Sequence, residues 1–327
     1  MTQACVRVPR EAGEATRQQL VDAGLLDHDR EIVHEESHLF IPITDRDGVP
    51  DELEVVERPL PAREGQTMPA DLLGWDPSYE RVGDLIVVDE DDPERAAAIA
   101  TAVMDSDLPA NTVLNRASKI RGEQRVRDWT VLAGDGTETI HREYGHEYRL
   151  DLRQVYFSPR LATERHRVVD QVSAGEQLLD MFAGVGPFVI PSAARGATCV
   201  GVDLNADAIR FLEENAERNG VADRVTAVEG DVRTATAQWT NWADRLVMNL
   251  PHSADEFLPT AIRLAGERCV LHYYDIQHEG DPYGPGMSAI WAAAEPDYTV
   301  TVRDRRTVRS YAPHELNVCL DVVLERA

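Results

Sequence analysis

The chain has 327 residues, 43% hydrophobic and 28% charged, a globular composition at about twice the usual domain length, so two or three domains are expected. Against 58 Asp and Glu stand 33 Lys and Arg, a formal charge of −25, and only one of those cations, Lys119, is a lysine. Such a carboxylate-rich, lysine-poor surface suits a halophilic protein held soluble in concentrated salt, and because the acid is spread along the chain a disordered acidic tail is excluded while an arginine patch for nucleic acid is not.

The N-terminus carries charge where a signal peptide needs an apolar stretch, and no apolar run approaches the roughly 20 residues of a membrane span. A soluble, cytoplasmic protein with no membrane partner is expected. Residues 1–57 read as a small unit. Cys5–Pro9 alternates like a strand, Glu11–Ala23 has helical spacing with Gly24 at its stop, and His38–Ile43 is a second strand. Pro59, Pro61, Gly65 and Pro69 then mark residues 58–69 as a linker. A second α+β unit spans residues 70–150. It holds strands at Gly83–Val88, Thr112–Leu114 and Trp129–Leu132, an alanine-rich helix at Pro93–Val103 and a turn at Gly134–Gly136. The most basic stretch of the chain, Arg116 to Arg127, lies inside this unit.

From residue 151 strand and helix patterns alternate. Gln177–Phe182, Thr198–Asp203, Val225–Asp231, Arg245–Leu250 and Arg268–Tyr274 have strand length, with helical stretches near 187–194, 206–218 and 254–265. This is the pattern of a doubly wound, mostly parallel Rossmann-type sheet, an α/β fold. Two tail runs, Tyr298–Val302 and Val318–Leu324, fit antiparallel C-terminal strands. The four cysteines (Cys5, Cys199, Cys269, Cys319) are far apart and mostly in apolar runs, so they read as buried thiols, with neither a disulfide framework nor a metal site expected.

The segment Asp180-Met-Phe182-Ala-Gly184-Val-Gly186-Pro187 follows one strand and opens a helix. Its glycines permit a tight turn and close ligand approach; a plain strand-to-helix turn is the bland alternative. Asp203 ends the next strand, where a carboxylate can accept both ribose hydroxyls. Asp231 ends the third, where it and a backbone amide can read an adenine edge. Three strands delivering polar groups at their carboxyl ends locate a ligand crevice at the switch point of the sheet. A nicotinamide dinucleotide is the rival ligand. Because the loop lacks the third glycine for a pyrophosphate, S-adenosyl-L-methionine explains the set better. The fourth strand ends in Met248-Asn249-Leu250-Pro251-His252, either a turn with a proline stop or a loop that holds a target nitrogen.

Several segments carry a family resemblance in order: Val155-Tyr156-Phe157-Ser158-Pro159-Arg160-Leu161-Ala162-Thr163-Glu164-Arg165, the glycine loop, the Asn249 loop, His272-Tyr273-Tyr274, and Val308 to Pro313. The whole chain, with its small first unit and the GEQRVR segment, resembles the archaeal tRNA (guanine-37-N1)-methyltransferase family. The resemblance implies a class I methyltransferase domain at 151–327, a first domain that docks on tRNA, a second that helps hold the anticodon region, and tRNA as partner of a monomer. It implies Glu164 as general base, Arg125 as the guanine-contacting arginine, and cofactor contacts at Arg165, Asp203, Leu204, Asp231, Val232 and Asn249. The surrounding motifs add Asp180, Phe182, Gly184, Gly186 and Pro251 to the cofactor set, and Asn249 also to the catalytic set. Tyr156, Arg160, Arg127 and Arg121 are candidate substrate contacts.

The chemistry accounts for these types. Guanine N1 must lose its proton before its lone pair can attack a methyl group; a carboxylate can take that proton, and a guanidinium aimed at O6 stabilises the charge that develops there. Several alternatives stay open at this level. Arg127 lies two residues from Arg125 and competes with it for the O6 role. Tyr156 and Phe157 either stack on a base or belong to the core. Arg303, Arg305, Arg306 and Arg309 either meet an RNA backbone or form a salt-bridged strand, and His272 reads as a core histidine. A wyosine-pathway methyl or aminocarboxypropyl transfer and an inactive tRNA-binding module are the rival functions.

Overall fold

Alternation in β1 (Gln3–Pro9) sends Val6 and Val8 into a core with Leu20, Leu25, Ile41 and Ile43. The computed structural model describes residues 2–35, 37–50, 52–63, 65–118 and 127–327. It divides into two units, residues 1–68 and 69–327. In the first, α1 (Gly13–Asp22) is followed by β2 (Val33–Glu35), β3 (His38–Pro42) and β4 (Glu54–Arg58), forming an antiparallel sheet in the order β2-β3-β1-β4. The helix stops where Gly24 takes φ +67°, a conformation that favours glycine. The stretch after β4 is not a free linker. Leu60 is buried, Ala62 bridges to Arg30, and the Glu31 N–H donates to the Pro61 carbonyl at 3.1 Å. Proline loses its donor but keeps its acceptor, so it can line the edge of a folded unit.

The second unit begins with α2 (Pro69–Leu73), β5 (Glu80–Val82), β6 (Leu85–Val88), α3 (Pro93–Asp105), β7 (Thr112–Arg116) and β8 (Trp129–Ala133). These strands form a sheet in sequence order. Asp92 starts α3 by accepting the Glu94 N–H at 2.9 Å. A hairpin that the sequence pattern conceals, β9 (Glu138–Glu143) and β10 (His146–Asp151), follows. Charged residues at half of its positions and two histidines hide the alternation. The expected border at residue 150 falls inside β10, and one hydrophobic core runs across it, joining Leu85, Val87 and Leu114 to Tyr148, Leu150, Leu178 and Val189.

Beyond the hairpin come α4 (Ala162–Val169), β11 (Gln177–Asp180), α5 (Val189–Ala194), β12 (Thr198–Asp203), α6 (Ala206–Arg218), β13 (Val225–Glu229), α7 (Val232–Ala235) and β14 (Ala243–Met248). The chain ends with α8 (Leu258–Leu264), β15 (Ala265–His278), α9 (Gly284–Ala294), β16 (Tyr298–Ala312) and β17 (Glu315–Arg326). Seven strands pair in the order β13-β12-β11-β14-β15-β17-β16. The first five are mutually parallel, so their carboxyl ends share one edge, and the order reverses between β11 and β14. The tail hairpin adds β17 antiparallel to β15, with β16 outermost. Helix α9 is not expected from the sequence pattern, because Gly284, Pro285 and Gly286 at its start conceal it.

Fully buried Asn215 in α6 ties the hairpin to the glycine loop. Its Oδ1 accepts the Arg149 N–H at 2.7 Å, and its Nδ2 donates to the Arg149 and Val185 carbonyls, each at 3.1 Å. Asn215→Ala leaves these buried backbone groups unpaired, and urea unfolding is expected to register a loss of about 3 kcal/mol.

Candidate active site

The carboxyl edge of the parallel strands brings together Gly184, Gly186, Asp203, Leu204, Asp231 and Val232, but not Arg165, which lies on α4 and is taken up by Glu143. After β11, Gly184 and Gly186 take φ +54° and +92°. A Cβ on Gly186 would stand 2.4 Å from Leu212, so only glycine fits, whereas Gly184 faces open space. Asp203 at the end of β12 reaches back to this loop, its Oδ2 accepting the Gly184 N–H at 2.7 Å and its Oδ1 the Asn205 N–H at 2.9 Å. The Gly230 N–H donates to the Asp203 carbonyl at 2.9 Å, which sets the β13 end beside that of β12. Asp231 there caps α7 and pairs with the Arg233 guanidinium, which holds its carboxyl below the usual range; Val232 beside it is buried. Leu204 is 45% exposed, an apolar surface beside the polar groups. Phe182 meets Phe257 edge-on at 5.0 Å, with Arg233 over the Phe257 ring at 4.9 Å.

Asp180 is fully buried and accepts the Phe182 N–H at 3.1 Å. Burial, with the Asp203 charge adding to it, pushes its carboxyl up to about 7. Burial likewise raises Asp203 despite its backbone donors. Among the described residues neither forms an ion pair. Two acids without a cation at this edge suit a positively charged ligand and disfavour a pyrophosphate. S-adenosylmethionine, with its sulfonium and ammonium groups, therefore fits these residues, and a dinucleotide does not.

At the reactive end, β14 runs into Asn249 and a loop whose Pro251 carbonyl accepts the Ile276 N–H at 3.0 Å. His252 contacts the Tyr311 hydroxyl at 3.0 Å, joining this loop to the end of β16. Glu164 stands in the first turn of α4 and is 7% exposed. Its Oε1 accepts the Tyr274 hydroxyl at 2.9 Å and the Arg167 Nη2 at 2.7 Å, and its Oε2 accepts the Arg167 Nε at 2.9 Å. Tyr274 directly follows Tyr273, the β15 partner of Met248, so its hydroxyl ties Glu164 to the strand alongside the Asn249 loop. Arg167 and Tyr274 are partners of Glu164 that sequence alone does not single out. The spacing of Glu164 and Arg167, three apart on one helix, is the signal that was available.

The neighbouring Arg165 turns to a different partner. Its Nε and Nη2 donate to the two Glu143 oxygens at 2.8 and 2.6 Å, and Nη2 also donates to the Ser158 carbonyl at 3.1 Å. Burial works to raise the Glu143 carboxyl, but Arg165 and His141 outweigh it and hold the group low. The Arg165 guanidinium thus pins α4 to the hairpin strand β9. Phe157, beneath it at 5.1 Å, packs with His141 and Tyr148, so this aromatic belongs to the core. Tyr156 is half-buried. Arg160 pairs with Glu80 at 2.6 Å, and Arg116 pairs with the same Glu80 and with Asp89. Arg127 lies over Trp129 at 5.5 Å, and burial lowers its affinity for its proton. Arg121 and Arg125 lie outside the described residues. On β16, Arg303, Arg305 and Arg306 are exposed, with Asp304 3.7 Å from Arg306.

Known proteins match this chain along its length. Residues 5–50 match the tRNA methyltransferase 5 N-terminal domain, residues 65–137 the TYW2 N-terminal domain, and residues 139–299 the TRM5/TYW2 methyltransferase domain. The tRNA (guanine(37)-N(1))-methyltransferase Trm5b of Pyrococcus abyssi is 39% identical over 97% of both chains. An aTrm5 solved in complex with tRNALeu is 30% identical, covers 98% of this chain and 99% of its own, and superposes with a TM-score of 0.72. Methanocaldococcus jannaschii Trm5 in complex with adenosine is 29% identical over 98% of each chain, with a TM-score of 0.66. A relative 39% identical over 97% of both chains shows that the chain belongs to the archaeal tRNA (guanine-37-N1)-methyltransferase family.

Proposed function

We propose that this protein methylates N1 of the guanine at tRNA position 37, with Glu164 as the base. The observation that carries the reading is a buried carboxylate, Glu164, tied by the Tyr274 hydroxyl to the strand beside the Asn249 loop. S-adenosylmethionine, when bound, supplies an electrophilic methyl group on a cationic sulfur. Gly184, Asp203, Leu204, Asp231 and Val232 would hold it, with Asp180 beneath the loop. Glu164 takes the N1 proton, leaving the ring nitrogen its lone pair. The charge that spreads to O6 calls for a guanidinium, and Arg125 in the GEQRVR segment is assigned that task, with Arg127 as its competitor. Asn249 engages no other described side chain through a hydrogen bond, which leaves its carboxamide available to orient the base. The docking role of the first unit, a monomeric state and a cytoplasmic site belong to the same reading; no described helix is long and apolar enough to cross a membrane. The TYW2-type match at residues 65–137 favours aminocarboxypropyl transfer to a wyosine precursor as the second reading, and mass spectrometry of the product nucleoside separates the two.

Three outcomes test these assignments. Glu164→Gln is expected to lose about 10²- to 10⁴-fold in single-turnover methyl transfer while binding tRNA with unchanged affinity; wild-type turnover would remove the base. Gly186→Ala forces a methyl group against Leu212, so calorimetry is expected to show cofactor affinity down by about tenfold or more. The Asp180 carboxyl loses its proton near pH 7 in the free protein, so affinity for the cationic cofactor is expected to rise between pH 6 and 8 and to become flat in Asp180→Asn. Because this folded-state value lies above the unfolded one, the same ionisation removes stability from the free protein as pH climbs from about 4 through 7.

A further inference from the structure

A line of buried and half-buried polar side chains crosses the sheet behind Glu164. Glu176, just before β11, accepts the Arg245 Nε at 2.6 Å; Arg245 Nη1 lies 2.7 Å from His272 Nε2; and His272 Nδ1 lies 2.6 Å from Asp321 Oδ1. Asp321 Oδ2 accepts Arg167 Nη1 at 2.5 Å, and Arg167 then forks onto both Glu164 oxygens. His272 is fully buried, Asp321 and Arg245 nearly so.

The hydrogen-bond directions determine the charges. A guanidinium can only donate, so His272 Nε2 must accept from Arg245, and the ring proton sits on Nδ1 facing Asp321. His272 is therefore neutral, in keeping with the burial that lowers its proton affinity against the pull of Asp321. Burial raises the Asp321 carboxyl, but His272 and Arg167 outweigh it and hold the group well below the usual range. Burial works against the Arg167 charge too, and Glu164 and Asp321 more than restore it. The Tyr274 hydroxyl and the Cys319 and Cys269 thiols beside the line are pushed far up by burial and stay neutral. Along the line the charges run negative at Glu176, positive at Arg245, zero at His272, negative at Asp321, positive at Arg167 and negative at Glu164. Three carboxylates face two guanidinium groups, a surplus of one negative charge largely shielded from water.

We propose that this buried line orients Glu164 and makes it ready to accept a proton, with Arg167 and Asp321 as positioning residues. The inference rests on the reading of Glu164 as the base. A lone Glu164–Arg167 pair would be neutral and would resist protonation, which makes a poor base. Asp321 shares Arg167, so the surplus charge persists until one proton arrives, and Glu164 is the end of the line nearest the Asn249 loop. The proton leaves guanine N1 for a Glu164 oxygen, the nitrogen lone pair forms the new bond to the methyl carbon, and the sulfur keeps the electron pair of the bond that breaks. The line is then neutral, with Arg167 still neutralised by Asp321. A metal ion is the other use for these residues, since ligand atoms of His272, Cys319 and Asp321 lie within 4.8 Å of one another. Arg167 and Arg245 already face those atoms, and a cation among them would meet two positive charges.

The test is the pH dependence of single-turnover methyl transfer from S-adenosylmethionine to an unmodified tRNA transcript. Asp321→Asn removes the surplus negative charge while keeping the shape, and the acid limb is expected to move about one pH unit lower, with a plateau about tenfold down. Arg167→Gln adds a second surplus charge, so its limb moves about one pH unit higher, and Arg167→Lys returns the limb towards wild type. Melting temperature and cofactor affinity are followed alongside, and if Asp321→Asn fails to fold, the Gln and Lys pair at position 167 decides. Limbs that stay in place or shift in one common direction, with Glu164→Gln inactive, overturn the positioning role and leave the base standing. A Glu164→Gln enzyme that turns over like wild type overturns both.

Discussion

A carboxylate moved out of water has to find a cation or hold a proton, and in this protein both solutions lie within a few residues of each other. Where the acids are paired, they make the frame. Glu143 clasps Arg165 and pins α4 to the hairpin, Glu176 clasps Arg245, and Arg167 joins α4 to β17 through Asp321. Removing one partner from such a pair strands the other, which makes these contacts specific whatever their net contribution to stability. Where the acids have no cation, at Asp180 and Asp203, burial raises their carboxyl groups instead. The same physics thus separates scaffold from site.

The preference for arginine over lysine follows from this arrangement. Planar guanidinium groups present forked donors that satisfy two carboxylates at once, as Arg167 does between Glu164 and Asp321, and Arg149 between Glu138 and Glu214. A lysine ammonium would supply the charge without the geometry. In a chain of −25 formal charge, most of the described arginines are neutralised locally. The exposed arginines of β16 face solvent at the edge of the sheet, where Asp304 lies 3.7 Å from Arg306.

Local pattern alone was enough for the α/β class, the parallel strands, the glycine loop and the strand-end acids Asp203 and Asp231. Each depends on short-range facts: apolar runs of strand length, glycines where the backbone turns, and acids at the residue after a strand. Helix α6 and strand β12 carry the residue ranges read from periodicity, because one buried face dominates each. The charged hairpin β9–β10 escaped, since its burial is supplied by partners distant in sequence, and α9 escaped behind its glycines.

Only the tertiary structure decided what each charged residue does. Glu164 and Arg165 are adjacent in sequence yet turn to opposite partners, Arg167 and Tyr274 for one and Glu143 for the other. Asp321 is one polar residue in an apolar tail strand. It became the centre of a buried line only once β17 lay antiparallel to β15 and set it opposite His272. Hydrophobic periodicity reports which face of an element is covered. The partner of a buried charge depends on which strand lies alongside, and that is a property of the assembled sheet.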